Sequence, residues 1–163
     1  MSAGSPPNVR SREEVVADIV ARTGIDEAMI ERLVRTFYGR ARLDPLIGPV
    51  FEAQVKDWDH HIAQICAFWS SVALMTGRYQ GRPMVAHMPL PIERPHFNRW
   101  LELFAETAHD ICPPAAAAHF LDRAHQIADG LESGIDVRNG DVRPKPPRPA
   151  STLPPDRSGT GAK

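Results

Sequence analysis

From about Arg12 to Ile135, apolar residues recur at three- and four-residue intervals, with little of the two-residue alternation that marks strands. The spacing predicts an all-α chain. "SREE" (11–14) has capping-box spacing, Ser11 with Glu14 three residues on, and opens a short extra helix that stops near Gly24. Asp26 then caps a second helix whose Ile30, Leu33, Val34, Phe37 and Ala41 fall in one arc. Tyr38 lies at the rim of that arc, its ring toward the core and its hydroxyl in need of a partner.

The corner "DPLIGPVF" (44–51) is broken by Pro45, Gly48 and Pro49 and ends on Phe51. A third helix is expected from about Asp57 to Thr76, with Trp58, Ile62, Ile65, Phe68, Trp69 and Val72 turned inward. His61 sits inside this arc, whereas His60 points to the opposite side and faces water. Beyond Gly77, the residues Gly81, Pro83, Pro89, Pro91 and Pro95 leave room for no more than a turn or two around His87. Pro95 suits the first turn of the next helix, which buries Phe97, Leu101, Phe104, Ala108 and Ile111, with Trp100 at the rim. "CPP" (112–114) stops it, and a last helix from about Ala115 to Glu132 buries Phe120, Ala124, Ile127, Ala128 and Leu131. His119 and His125 fall outside that arc and are expected on the surface.

Composition narrows the class. With 163 residues, 42% of them apolar, the chain can build one core. No apolar run approaches the roughly 18–20 residues that cross a bilayer, and the first residues have no signal-peptide core. Two cysteines, Cys66 and Cys112, are too few for a disulfide framework and fit a reducing cytoplasm. Residues 138–163 hold six of the 19 Lys/Arg and two of the 20 Asp/Glu, so the body is acidic and would repel nucleic acid. That stretch also has six prolines and little that is apolar, which predicts a disordered, solvated tail from residue 137 to 163 and a flexible amino terminus over 1–10. A basic proline-rich tail could also take a partner of SH3-like type or an acidic surface.

Tyr38, His61 and Trp100 are polar groups inside or at the edge of apolar arcs on three separate helices, and each needs a hydrogen-bond partner once buried. Around a common ligand they would form one site. A histidine on a constrained turn opposite a histidine-bearing helix suits axial ligation of haem iron. By spacing alone a lone core histidine is more often structural, and aromatic stripes at helical spacing usually mean core.

Three strings shift that balance: "FYGRARLDPLIGPVF" (37–51), "WDHHIAQICAFWSSVALMTGRYQGRP" (58–83) and "HMPLPIERPHFNRWLELF" (87–104). Together they resemble the group III truncated haemoglobins over roughly residues 30–132. The resemblance implies a truncated globin fold, a two-over-two helical sandwich around haem b, over residues 11–136. It implies His87 as the proximal iron ligand. Tyr38 and Trp100 would be the ligand-stabilising pair, with His61 the distal gate and Ile65 beside it. Phe51 would wedge the haem edge, while Phe68 and Phe97 would pack against the porphyrin.

Such a protein would bind dioxygen, nitric oxide, carbon monoxide or peroxide, and a donor-rich pocket suits chemistry on the ligand better than bulk oxygen transport. No reductase domain or flavin motif is visible, so turnover would draw on an external reductase. A haem-based sensor or electron carrier would share the pocket without turnover, and a haem-free interaction module would share only the aromatic core. A non-haem metal site from His60, His61 and His96 is a further alternative, weakened because His60 and His61 diverge on their helix and no H-E-x-x-H pair occurs.

Overall fold

The computed structural model describes residues 8–152. Seven α-helices and one 3-10 turn account for the regular structure of that range: α1 (Arg12–Thr23), α2 (Glu27–Ala41), α3 (Gly48–Gln54), α4 (Trp58–Leu74), α5 (Pro83–His87), α6 (Arg94–Ile111), α7 (Pro114–Arg138), and the turn Ala150–Thr152. The caps fall where the polar residues demand them. Ser11 and Glu14 close a reciprocal capping box on α1, which ends at Gly24 in the left-handed region. Asp26 and Asp57 accept backbone N–H bonds at the starts of α2 and α4.

Four long helices form two layers. α2 packs on α4 and α6, α6 packs on α7, and α4 also meets α7, while α1 closes one end against α4 and α7. This is the two-over-two arrangement that the family resemblance implies. Its centre is an aromatic stack. Trp69 lies flat on Phe104 (5.0 Å between centroids, 14° between planes), and Phe104 lies flat on Trp100 (5.3 Å, 13°). Phe37 meets Tyr38, Trp100 and Phe104 edge-on. Each such pair adds about 0.5–1.5 kcal/mol to simple burial, so α2, α4 and α6 are held in a defined register.

The structure departs from the sequence reading at several points. The corner at 44–51 contains a helix, α3, because Pro49 occupies its first turn, where a missing N–H costs nothing. Gly48 is needed there: a Cβ would lie 2.6 Å from the Arg42 carbonyl oxygen. α4 ends at Leu74, two residues early, because Met75 takes a left-handed conformation (φ 62°). α7 runs six residues past Glu132, whose buried carboxylate is paired with Arg94 and Arg148. His119 and His125 are not surface residues. Each is half-buried and donates through Nε2 to a distant carbonyl, that of Ala73 and Thr152 respectively.

Composition predicted a solvated tail from residue 137. Instead, residues as far as Thr152 fold back over α6 and α7, and Thr152 is fully buried. Arginine explains the difference, since Arg148 finds carboxylates that a count of apolar residues does not register. Residues 1–7 and 153–163 of the expected flexible ends lie outside the described residues.

Candidate functional site

A cavity of about 600 Å³ opens between the two layers, within the range of cofactor-sized pockets. All eight residues singled out in the sequence line it: Tyr38 from α2, Phe51 from α3, His61, Ile65 and Phe68 from α4, His87 from α5, and Phe97 and Trp100 from α6. α7 closes the remaining side with Ile127, Ala128 and Leu131.

His87 is the last residue of α5, which starts at Pro83 and makes barely more than one turn. Its Nδ1 lies 2.6 Å from the Pro83 carbonyl oxygen. A carbonyl only accepts, so Nδ1 carries a proton, and in the neutral tautomer that this selects, the lone pair lies on Nε2. Proline at the start of the turn fixes both the backbone and the oxygen that sets this tautomer. The outcome is an imidazole oriented by its own helix, whose Nε2 is left for a metal.

Tyr38, His61 and Trp100 line the same cavity as His87. The Tyr38 side chain is buried. Burial, with a smaller push from Cys66, raises its pKa well above the ordinary 10, so it remains a phenol and a donor. His61 packs edge-on against Tyr38 (5.3 Å) and Trp58 (5.7 Å), and its Nε2 is buried with no partner among the described residues. Burial first, then the proximity of His87 and His60, lowers its pKa below 6.5 and keeps it neutral. A buried orphan nitrogen costs about 1–3 kcal/mol unless something in the cavity bonds to it.

This arrangement fits a haem. A cavity lined mostly by apolar and aromatic residues, an imidazole anchored through Nδ1 and a buried His61 Nε2 without a partner among the described residues meet what the group requires. A multi-ligand metal site does not fit as well: among the described residues no three His, Cys, Asp or Glu side chains come together. His96 is half-buried and uses Nδ1 to accept the Glu93 N–H at the start of α6. His60 is exposed as expected, yet it reaches the cavity rim.

Two contributors had no assigned role in the sequence. Trp58 supports Tyr38 (5.7 Å) and His61 together, and the Arg42 guanidinium sits 4.2 Å over its ring. Its place in the inward arc of α4 was the available signal. Tyr79 lines the cavity from the link after α4, with its ring 5.3 Å from Phe68. That link has no periodicity, so nothing in the sequence pointed to it.

Residues 21–132 match the family model described as bacterial-like globin. The chain is 31% identical over 114 residues to the group 3 truncated haemoglobin ctb of Campylobacter jejuni subsp. jejuni, covering 67% of this chain and 90% of that one. It is also similar to the crystal structure of the group III truncated haemoglobin from Campylobacter jejuni, at 31% identity. There the TM-score is 0.64, with coverage of 68% of this chain and 91% of the other.

Proposed function

The chain belongs to the bacterial-like globin family, whose fold binds haem, and from that premise we propose that it holds haem b through His87. In this reading it binds diatomic ligands on the side of Tyr38, His61 and Trp100. When bound, haem supplies an iron that can take dioxygen, nitric oxide or carbon monoxide. One observation carries the reading: His87, anchored through Nδ1, and His61, whose buried Nε2 has no partner among the described residues, line one cavity together with Tyr38 and Trp100.

The residues divide the work. His87 gives its Nε2 lone pair while Nδ1 stays bonded to Pro83, so the imidazole cannot rotate freely. Phe68 and Phe97 would pack against the group, and Phe51, 5.3 Å from Tyr38, would help to enclose it. Ile65 and the aromatic walls exclude water. The Tyr38 O–H and the Trp100 N–H donate to a ligand in the cavity, and the neutral His61 either donates through Nε2 or swings aside as a gate.

Several donors aimed at one small ligand slow its release. That suits turnover of nitric oxide or peroxide, or ligand sensing, better than bulk oxygen transport. An external reductase would keep the iron ferrous. A reducing cytoplasmic setting belongs to the same reading, since both cysteines are free, and burial raises the Cys66 thiol pKa and leaves it inert.

The test is an absorption spectrum of the full chain expressed with a haem supply, reduced and then exposed to carbon monoxide. A Soret band that sharpens and moves with carbon monoxide supports the reading. A colourless protein that takes up no added haem refutes it.

A further inference from the structure

Residues 133–152 lie beyond the stretch matched as globin, yet they hold the outer end of α7. Glu132 is the centre of a nearly buried triad. Its side chain is 6% exposed and takes Arg94 at 2.6 Å and Arg148 at 3.1 Å. The Arg148 side chain is itself only 7% exposed, and it also binds Asp129 (2.7 Å) and Asn98 (2.8 Å). Arg94 donates to the Pro146 carbonyl, and His125 donates to that of Thr152. The segment 146–152 is thereby strapped across α6 and α7.

What the strap steadies is the seat of His87. α5 has five residues and no side-chain cap, and the helix it packs against is α7. At that contact the Met84 side chain fills the space over Gly134, where a Cβ would lie 2.5 Å from the sulfur. Gly134 is two residues from Glu132, in the part of α7 that the strap holds. A five-residue helix cannot hold its own shape in water, so its position follows that of α7.

We propose that the carboxy-terminal strap is a positioning element for the iron ligand: Arg148 and Arg94 fix Glu132, α7 fixes Met84 through Gly134, and α5 fixes His87. The chain of contacts rests on the reading of His87 as the ligand. Arg148, Glu132 and Met84 are positioning residues that do not touch the cofactor. Arginine is required at 148 because three separate acceptors share one planar fork.

The experiment uses the full chain with Arg148→Gln and Met84→Ala, neither of which alters a residue of the aromatic core. Three properties are compared with the parent. They are the iron–histidine stretching band in the ferrous resonance Raman spectrum, the rate of haem transfer to apomyoglobin, and amide hydrogen exchange in the haem-free chain. The expected result is a shifted or split iron–histidine band and severalfold faster haem loss in both variants. Exchange at Ala86 and Met88, whose N–H groups bond to Arg82 and Met84, should also speed up while α2 stays protected. Arg148→Lys should rescue only in part. An unchanged band with unchanged exchange in α5 would overturn the proposal, even if both variants melt earlier. A parent protein with no iron–histidine band would sink the ligand assignment instead, and exchange in α5 would still decide whether the strap steadies that helix.

Discussion

His87 and His61 line the same cavity in opposite hydrogen-bonding states. His87 is anchored through Nδ1 to the Pro83 carbonyl at 2.6 Å, while His61 buries an Nε2 that meets no partner among the described residues. An anchored imidazole has one fixed lone pair, and an unanchored one can donate, accept or move away. The same residue type therefore serves two purposes, and the backbone around each decides which. α5 is a proline-started turn, whereas α4 is a long helix with an aspartate cap and His61 one turn inside it.

Donors facing a small ligand should show in its rate of escape. A hydrogen bond to a charged acceptor is worth about 1.5–3 kcal/mol, and each 1.4 kcal/mol is about tenfold in a rate or equilibrium. Tyr38→Phe and Trp100→Leu are each expected to raise the dioxygen dissociation rate roughly 10- to 150-fold. Stopped-flow mixing with carbon monoxide measures this, and unchanged rates in both variants would remove Tyr38 and Trp100 from the role.

Protonation of His61 should oppose folding on the acid side. Its folded pKa lies below the unfolded value of 6.5, because of burial first and then His87 and His60. Below pH 6.5 the unfolded chain takes the proton more readily, so this contribution is full above 6.5 and is lost as pH falls toward the folded pKa. Urea unfolding at steps between pH 8 and pH 5 should show a loss that His61→Leu flattens. Equal slopes in the two proteins would count against it.

An ion pair ties the corner between α2 and α3 to α6. Asp44 caps the N–H groups of Leu46 and Ile47, and accepts Arg99 at 2.6 Å from the residue next to Trp100. Burial opposes its ionisation, but the bonds from Ile47, Arg99 and Leu46 outweigh this and lower its pKa. Its contribution is present above the unfolded carboxylate range and disappears as pH falls through the lower folded value. Breaking a buried pair costs about 3–5 kcal/mol. Arg99 is one-third exposed and partly screened, so about 2–3 kcal/mol is expected for Asp44→Ala by chemical denaturation. A loss under about 0.5 kcal/mol would mean the pair is ornamental.

Much of this was readable before any coordinates. Ser11, Asp26 and Asp57 mark helix starts through local chemistry, and the buried arcs of α2 and α6 follow from spacing. The eight site residues came from resemblance added to those arcs, and they surround one cavity. What stayed hidden depends on partners far along the chain. His119 and His125 bond to carbonyls 46 and 27 residues away, and Arg148 reaches Glu132 and Asn98. No local pattern announces such pairs. α3 was hidden for another reason, since glycine followed by proline reads equally as a break or a helix start.

The most direct measurement is the ferrous absorption spectrum of His87→Gly in the full chain, with and without added imidazole. The account predicts weak haem retention and an altered spectrum, with imidazole restoring the parent's bands by taking the place of the lost side chain. A variant that keeps its haem and shows the parent's ferrous and carbon monoxide spectra without imidazole would contradict it.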